Sequence, residues 1–247
     1  MAKRLVRSSS VKPPSAATER SNRLLAALPR QEYERLAQHL SLVPLKVKQV
    51  LHKNGEVIKD VYFPISGVCS MTTVMDNGSM VEVTTIGNEG MVGINAFLGE
   101  DVPPGSTMVQ VGDGSAVRMS LTVFKREVRR GGPFQEVINR YTQAVVATMM
   151  QSIACNTLHS LRQRCARWLA STQDRIDGEE FGLSHEFLAI MLGAQRPTVT
   201  VVAGGLQKAG LIQYRHGRVR VLDRKGLEAA SCECYRTIRG HFDRLQL

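Results

Sequence analysis

Residues 183–222 read LSHEFLAIMLGAQRPTVTVVAGGLQKAGLIQYRHGRVRVL, and this stretch decides how the C-terminal part of the chain folds. Ser184 is a suitable N-cap for a first helix, which Gly193 ends. A second helix then begins near Arg196, where Pro197 fits because its missing N–H has no partner in a first helical turn. A helix, a glycine turn and a second helix in this order predict a helix-turn-helix motif.

The N-terminal end of the second helix is the part that a helix-turn-helix inserts into the major groove of DNA. An arginine there can donate two hydrogen bonds to guanine O6 and N7, and a threonine or valine can contact the methyl group of thymine. The apolar positions Val199, Val202 and Leu206 would instead face the first helix. The predicted base-reading residues are Gln195, Arg196, Thr198, Thr200 and Val201.

A basic hairpin follows the second helix. Two alternating runs, residues 211–215 and 218–221, are joined by a His-Gly turn and predict a pair of strands that form a wing. Arg218 and Arg220 share one face because side chains alternate along a strand. Together with Arg215 they are expected to contact sugar-phosphate, which adds affinity without selecting a sequence. The alternative for these arginines is a solvated sheet edge.

The formal net charge of +10 is distributed unevenly: it is +6 over residues 1–30, −1 over residues 31–157 and +5 over residues 158–247. This excess indicates a polyanionic partner, but charge alone does not distinguish DNA from RNA or an anionic membrane. Between Ser184 and Lys225, seven arginines and lysines stand against two acidic residues. Because this excess coincides with the helix-turn-helix and the wing, double-stranded DNA is the predicted partner.

Upstream, residues 43–119 contain short β-branched runs separated by repeated turn signals. The strongest hairpin signal joins residues 68–74 to residues 80–85 across the Asp-Asn-Gly turn at 76–78. These patterns predict an antiparallel roll. Two short helices are predicted beside it, over Gln31–Leu40 and from the N-cap Ser120 to about Arg130.

Residues 134–156 contain no glycine or proline and carry an apolar stripe, which predicts a single helix roughly 34 Å long at about 1.5 Å per residue. A long helix between two small domains must cover its stripe, and a symmetry-related copy of the same helix would do so. The alternative is that the stripe packs on the chain's own roll. The predicted dimerisation residues are Val137, Tyr141, Val145, Met149 and Ser152.

The order of roll, long helix, helix-turn-helix and wing resembles the CRP/FNR superfamily of dimeric bacterial transcription regulators over about residues 22–225. Residues 183–200 are similar to the family signature L(T/S)xExLAxxLGxxRxTVxR, whose last arginine is Val201 here. The long helix and residues 155–169 are similar to the family's dimer helix and hinge. The resemblance implies an α+β fold: an N-terminal antiparallel β-roll of the cyclic-nucleotide-binding type, a long dimerisation helix and a C-terminal winged helix-turn-helix. It also implies a homodimer on a palindromic DNA site, with RNA polymerase as a further candidate partner.

Four segments follow from these patterns. The first is basic and rich in serine and proline, without hydrophobic periodicity, and is predicted to be disordered. A signal in the roll is expected to change the relative pose of the DNA-binding domains through a hinge near residues 156–160. The expected boundaries are 1–20 for the disordered basic arm, 21–132 for the sensor-like β-roll, 133–158 for the dimerisation helix and 159–247 for the winged-helix domain with its C-terminal helix.

One departure from the family concerns the choice of DNA sequence. By the resemblance, Arg196 occupies the principal base-contacting position. Pro197 and Val201 stand where the best-known members carry an acid and a second arginine. The DNA consensus is therefore expected to differ from theirs.

The effector site departs further. Cyclic-nucleotide-binding members hold the ribose with a Gly-Glu pair and the phosphate with an Arg-Ser pair, and the matching stretches here are Gly93-Ile94 and Gly105-Ser106. Without the arginine, a buried cyclic phosphodiester loses a charge-assisted hydrogen bond, so binding of cyclic AMP in the usual manner is not expected. Gly93, Asn95, Gly105 and Ser106 are the weak candidates for an effector site, or they only shape a loop. No effector or cofactor is assigned.

The five cysteines, Cys69, Cys155, Cys165, Cys232 and Cys234, are odd in number and scattered, which indicates reduced thiols. Iron–sulfur relatives need a group of N-terminal cysteines, and none precedes Cys69. Cys232 and Cys234 lack a second pair in the neighbouring sequence, and the six histidines form no ligand spacing. Helix packing, and no metal site, is therefore predicted for them. Haem would need axial ligands that the sequence does not identify.

A membrane protein, an enzyme and a ligand-binding module without DNA function each find less support in the sequence than a DNA-binding regulator. No apolar run approaches the roughly 18 residues of a membrane span, and no apolar leader is present, so a cytoplasmic protein without a membrane partner is expected. No Ser/His/Asp order, paired carboxylate motif or phosphate-binding glycine loop points to an enzyme. The alternative is a ligand-binding regulatory module without DNA function, since the same roll occurs in kinases and channels. That alternative leaves residues 184–222 unexplained.

Overall fold

The turn-rich residues upstream of the long helix form one antiparallel sheet. The structure, a computed structural model, describes residues 21–176 and 178–244, so the arm predicted over residues 1–20 lies outside the described residues. The strands are β1 (Ser41–Leu45), β2 (Val50–His52), β3 (Asp60–Val74), β4 (Met80–Ile86) and β5 (Ser106–Ser120). Their order is β1-β5-β3-β4, and β2 pairs with β5. The predicted antiparallel roll is confirmed.

The hairpin predicted from the Asp-Asn-Gly turn joins β3 to β4. Val74 pairs with Met80 and Thr72 with Glu82, after which the register shifts by one residue and ends with Cys69 opposite Ile86. Gly78 adopts φ +80°, a left-handed conformation that glycine reaches without a Cβ clash. The turn therefore sets the register of the part of the hairpin next to it, from Val74 to Thr72.

Among the described residues, five helices lie before the predicted hinge: α1 (Arg23–Ala26), α2 (Arg30–Ala37), α3 (Ile94–Phe97), α4 (Leu121–Arg129) and α5 (Pro133–Leu158). Ser120 caps α4 by accepting a hydrogen bond from Val123 N at 3.4 Å, as its position in the sequence predicts. Pro133 opens α5 at a position where a missing N–H costs nothing. The predicted long helix is present and extends over 26 residues.

One face of α5 is covered by the chain's own roll. Val137 and Val145 belong to the same apolar core as Phe63 of β3. Tyr141 is 2% exposed, and its hydroxyl donates a hydrogen bond to the Met91 carbonyl at 3.2 Å. This hydrogen bond is needed because a buried hydroxyl without a partner is costly. The inner face of α5 is therefore part of the roll's core.

This packing covers part of the predicted dimerisation stripe. Of its members, Val137, Tyr141 and Val145 are buried within the chain, and Met149 and Ser152 are half-buried. Val137, Tyr141 and Val145 therefore have little surface left for a second chain, whereas Met149 and Ser152 remain partly accessible. Three exposed apolar residues of α5, Val146, Met150 and Ile153, form a different stripe, and Leu158 is exposed near the end of the helix. α5 thus has an inner and an outer apolar face, and the residues predicted from the sequence periodicity lie mainly on the inner face.

Extended backbone at His159 separates α5 from the next helix, at the place predicted for a hinge. His159 is extended (φ −105°, ψ 146°), and Ser160 starts the next helix with a capping box completed by Gln163. The elements that follow are α6 (Leu161–Gln173), β6 (Glu180–Gly182), α7 (His185–Leu192), α8 (Arg196–Lys208), β7 (Ile212–Arg215), β8 (Arg218–Val221), α9 (Arg224–Ala230) and α10 (Cys234–Asp243). We call α6 through β8 the winged unit. Its sheet has the order β6-β8-β7, and the sequence did not predict β6.

The helix α10 returns from the winged unit to the long helix. Ile238 and Phe242 are buried in the core that the roll shares with α5. The ring of Phe242 lies 6.4 Å from the ring of Tyr141, measured between centroids. The C-terminal helix therefore attaches the end of the chain to α5, a role that the sequence left unassigned.

Two polar contacts join the winged unit to the roll. Trp168 Nε1 donates a hydrogen bond to Glu82 Oε1 at 2.9 Å. Burial raises the pKa of Glu82, and hydrogen bonds from Ser70 and Trp168 oppose that shift. Arg175 Nε forms an ion pair with Glu89 Oε1 at 2.8 Å, and the two side chains are only 10% and 7% exposed. The roll and the winged unit are therefore joined by buried polar groups as well as by the hinge.

Replacing Arg175 by methionine should destabilise the fold strongly, because Glu89 would remain buried without its partner. Loss of one member of a buried ion pair costs about 3–5 kcal/mol. Urea unfolding followed by circular dichroism measures the change in the free energy of unfolding. The control is Arg30→Met, which breaks an exposed pair with Glu34 and should cost less than about 1 kcal/mol. Equal losses in the two variants would contradict a buried role for Arg175.

Candidate nucleic-acid interface

The helices α7 and α8 form the predicted helix-turn-helix. Ser184 Oγ caps α7 by accepting a hydrogen bond from Phe187 N at 3.1 Å, and Gly193 ends that helix in the left-handed conformation at φ +57°. The two helices are bent by 103° relative to each other, within the range of about 90–120° typical of the motif. Within residues 21–176 and 178–244 no single helix could span a membrane, although α7 and α8 pass that test jointly by length and composition.

The N-terminal end of α8 is exposed, whereas its opposite face is buried. Val199, Ala203 and Leu206 are at most 1% exposed. Val201 is 75% exposed although it is apolar. All five residues predicted to read bases lie at the exposed end: Gln195, Arg196, Thr198, Thr200 and Val201. The arrangement can present a guanidinium group and apolar groups to one surface.

A histidine that the sequence did not single out holds one of these residues. His185 Nδ1 and the Thr200 hydroxyl are 3.0 Å apart, and the same hydroxyl lies 3.0 Å from the Arg196 carbonyl oxygen. The ring of His185 packs on Tyr214 of β7 with 4.1 Å between centroids. Burial lowers the pKa of His185, and the positive charge of Arg196 lowers it further. The neutral imidazole therefore fixes Thr200 against the first helix.

The predicted wing is present as the strands β7 and β8. His216 and Gly217 form the turn with φ values of +50° and +72°. Positive φ at both central residues matches the right-handed twist of a two-residue hairpin. Arg215 pairs with Arg218 directly beside the turn, which brings two guanidinium groups to the tip of the wing.

An acidic residue of the unpredicted strand β6 lies against the wing. Glu180 forms ion pairs with both Arg218 and Arg220, the second at 2.9 Å between Oε2 and Nη2. Hydrogen bonds from Arg218 and then Arg220 lower the pKa of Glu180. Two of the three wing arginines thus share one carboxylate. No local pattern signals this contact, because Glu180 lies 38 residues upstream of Arg218.

The glycines of the weakly predicted effector loop are required by packing. A Cβ at Gly93 would lie 2.9 Å from Val61 Cγ1 and 3.0 Å from His52 Cε1. A Cβ at Gly105 would collide with the Thr72 carbonyl oxygen. A side chain at either position would force its neighbours to move.

The Ser106 hydroxyl and the Asn95 backbone carbonyl accept hydrogen bonds from within the chain. Ser106 Oγ accepts a hydrogen bond from Asn54 N at 3.0 Å, and the Asn95 carbonyl accepts one from Glu100 N at 3.0 Å. Ile94, in the position of the family's acid, is 6% exposed and lies in the core. These contacts favour the loop-shaping interpretation.

A cavity of about 550 Å³ lies elsewhere, between the roll and the winged unit. Lys48 and Gln110 line it from the roll, and Phe187 and Arg218 line it from the other side. Among the described residues, no group hydrogen-bonds the side-chain amide of Gln110, which is 2% exposed. A small molecule in this cavity would contact both parts of the chain.

The structure also brings Cys155 and His159 beside Cys232 and Cys234. The donor atoms of these four side chains lie within 4.8 Å of one another. In the folded chain, Cys232 and Cys234 are therefore joined by two further potential ligands that the neighbouring sequence does not supply. Cys155 lies 77 residues before Cys232, so the spacing within either segment could not reveal the cluster.

Two family models match this chain. The model for the cyclic nucleotide-binding domain matches residues 42–130, and the model for the Crp-like helix-turn-helix domain matches residues 163–230. The chain belongs to the CRP/FNR superfamily. It is a transcription regulator with a DNA-binding helix-turn-helix and a domain of the cyclic-nucleotide-binding type.

Solved structures of CRP/FNR regulators share this fold. FixK2 from Bradyrhizobium japonicum is 12% identical with a TM-score of 0.66, and the match covers 78% of this chain and 98% of that one. TTHB099, a CRP-family regulator from Thermus thermophilus, is 19% identical with a TM-score of 0.63, covering 76% and 96%. CLP from Xanthomonas campestris, described as responsive to c-di-GMP, is 17% identical with a TM-score of 0.62, covering 79% and 100%. At these identities the likeness shows the fold alone. A search of curated proteins gives no significant match.

In this CRP/FNR regulator, Glu180→Gln should raise the affinity for DNA, because two guanidinium groups become free to contact phosphates. Each added phosphate contact should steepen the plot of log K against log salt by about 0.9. Fluorescence anisotropy at several salt concentrations measures both effects.

The matched control for this prediction is Glu179→Gln, which removes the same charge from the exposed neighbouring residue. It should change the affinity less and leave the salt slope unaltered. Equal changes in both variants would mean that net charge, and not the pairing with Arg218 and Arg220, is responsible.

Proposed function

We propose that the chain acts as a homodimer that reads a palindromic DNA site with the N-terminal end of α8. The observation that carries this proposal is the exposed group of side chains at that end, with Arg196 at its centre. In a dimer, two α8 helices would enter successive major grooves on one side of the duplex, about 34 Å apart. A ligand-binding module without DNA function would leave this surface unexplained.

The residues of α8 suit a mixed readout of bases. Arg196 can donate a bidentate pair to guanine O6 and N7. Val201 is exposed and apolar, which fits contact with a thymine methyl group. The Thr200 hydroxyl is held by His185, so its base contact would come from its methyl group. Pro197 and Val201 replace the family's acid and second arginine, so the operator should be determined by selection.

The wing supplies contacts to the phosphate backbone. Arg215 and Arg218 lie at its tip, and Arg220 lies one repeat farther along β8. Phosphate contacts position a protein on the duplex without selecting a sequence. Glu180 would weaken the phosphate contacts of Arg218 and Arg220. Because phosphate contacts strengthen binding to every sequence, weakening them favours binding to the preferred DNA site over other sites.

Dimerisation would use the exposed stripe of α5. Val146, Met150 and Ile153 recur at spacings of four and three residues, and Leu158 lies beyond them near the end of the helix. This spacing matches the seam of a two-helix coiled coil. Val146, Met150 and Ile153 are 50%, 67% and 68% exposed, so three large apolar side chains share one uncovered face of the helix.

Control would pass from the roll to α8 through two routes. The first is the hinge at His159 and Ser160, where the backbone changes from helical to extended. The second is the direct contact of the roll with the winged unit through Glu82 and Trp168. Cyclic AMP in the usual manner is not the proposed effector, because Ile94 and Gly105 replace the acid and the arginine that hold it in other members.

The reading of bases is tested first by selection from random DNA at moderate salt. The intact protein should enrich an inverted repeat. Arg196→Ala should then lower the affinity for that repeat by about 1–3 kcal/mol and relax selectivity at one position in each half-site. Recovery of no preferred sequence would refute the proposal.

The control variant is Arg215→Ala at the tip of the wing. It should weaken binding to all sequences to a similar extent and reduce the salt slope by about one. The same loss of selectivity in both variants would mean that Arg196 does not read a base.

The dimer interface is tested by Ile153→Glu, which places a carboxylate in the exposed stripe. Burying two unpaired carboxylates per dimer should raise the dissociation constant at least about tenfold. Analytical ultracentrifugation measures the association. The control is Val57→Glu, which changes an exposed valine between β2 and β3 and should leave the dimer intact. A dimer of unchanged stability in Ile153→Glu would exclude this face.

A further inference from the structure

The four side chains Cys155, His159, Cys232 and Cys234 come from two distant parts of the chain. Cys155 lies in the last turn of α5, and His159 directly follows that helix. Cys232 and Cys234 lie between α9 and the first residue of α10. All three thiols are buried and His159 is half-buried, so four potential metal ligands converge in one protected place.

The distances between these donor atoms match one coordination sphere. Ligands at about 2.3 Å for sulfur and about 2.0 Å for nitrogen around a tetrahedral centre lie roughly 3.5–3.8 Å from one another. Cys155 Sγ and Cys232 Sγ are 3.5 Å apart, and Cys234 Sγ and His159 Nδ1 are also 3.5 Å apart. We propose that these four residues bind one zinc ion as a structural Cys₃His site.

Groups around the cluster orient the proposed ligands. His159 Nε2 lies 3.2 Å from a carboxylate oxygen of Glu233, which leaves Nδ1 to face the cluster. A histidine that contacts a carboxylate through its second nitrogen is the usual arrangement at zinc sites. Gln151 Nε2 donates a hydrogen bond to Cys234 Sγ at 3.0 Å. The set of ligands therefore has supporting contacts of the kind that such a site requires.

Electrostatics around the cluster favour the same occupant. Three thiolates and a neutral histidine around a divalent zinc ion carry a net charge of −1. The guanidinium of Arg167 interacts electrostatically with Cys155, and its buried Nε has no hydrogen-bond partner within the described residues. This cation would offset the excess negative charge of the loaded site.

Thiolates with one imidazole form a soft ligand set, which selects zinc over magnesium or calcium. Four protein donors close a tetrahedral sphere and leave no position for a substrate, which is typical of a structural site. The other two cysteines, Cys69 and Cys165, lie in separate apolar cores, where simple packing accounts for them. Packing in an apolar core does not explain why Cys155, Cys232 and Cys234 lie together with a histidine.

The position of the ligands gives the ion a structural role. Cys155 and His159 precede the winged unit, and Cys232 and Cys234 follow it. A bound zinc ion would therefore tie both ends of this unit together at the hinge. Closing a loop of this length restricts the unfolded chain as a cross-link does.

Metal analysis of the full-length protein, purified under reducing conditions without chelator, tests the site. Inductively coupled plasma mass spectrometry should find one zinc ion per chain. Cys234→Ser should reduce zinc to well below one per chain, whereas the matched control Cys165→Ser, which also changes a buried thiol, should retain it. Glu233→Gln should keep the ligands and lower zinc affinity about 10- to 100-fold.

A measurement on the unaltered chain covers the case in which Cys234→Ser does not fold. After zinc is removed with a chelator, Co²⁺ should bind at one per chain and produce thiolate-to-metal absorption bands. The same removal should lower the thermal unfolding temperature, and added zinc should restore it. Absence of these bands, a disulfide between Cys155 and Cys232 in the freshly purified reduced protein, or iron and sulfide in place of zinc would overturn the proposal. None of these outcomes depends on DNA binding, so the site and the proposed function fail independently.

Discussion

The burial of the inner face of α5 is the constraint on which the other parts of the molecule depend. A helix of 26 residues exposes apolar side chains on more than one side, and the roll covers only the side that includes Tyr141. The returning helix α10 covers a further part through Ile238 and Phe242. The outer apolar stripe of α5 stays uncovered. The contacts with α10 fix the position of the last turns of α5, directly before the winged unit begins.

This arrangement explains why the winged unit is more than a domain on a flexible connection. α6 and the loop after it contact the roll through Trp168, which donates to the half-buried Glu82, and through Arg175, which pairs with the buried Glu89. α10 holds the far end of the unit against α5. A change in the roll that moves Glu82 or Glu89 would therefore also move Trp168 or Arg175, which belong to the winged unit. The surface of α8 stays free because only its inner face is needed for packing.

Local signals in the sequence were sufficient wherever one segment decides its own structure. The Ser184 cap, the Gly193 turn and the Pro197 start specify the helix-turn-helix because each acts within one helical turn. The Asp-Asn-Gly turn specifies the β3–β4 hairpin for the same reason. The stripe predicted for the dimer includes side chains that the roll covers, because periodicity shows that a helix face is apolar but not what covers it. Tyr141 and Ile153 have equally apolar surroundings in the sequence.

By itself, the sequence determined the α+β architecture, the helix break near His159 and the residues at the exposed end of α8, since these depend on neighbours along the chain. The tertiary structure alone decided which face of α5 is free, which carboxylate restrains the wing, and that Cys155 and His159 meet Cys232 and Cys234. Each of these joins segments tens of residues apart. Such contacts exist only after the packing of α10 and β6 has brought the segments together, and no local pattern carries that information.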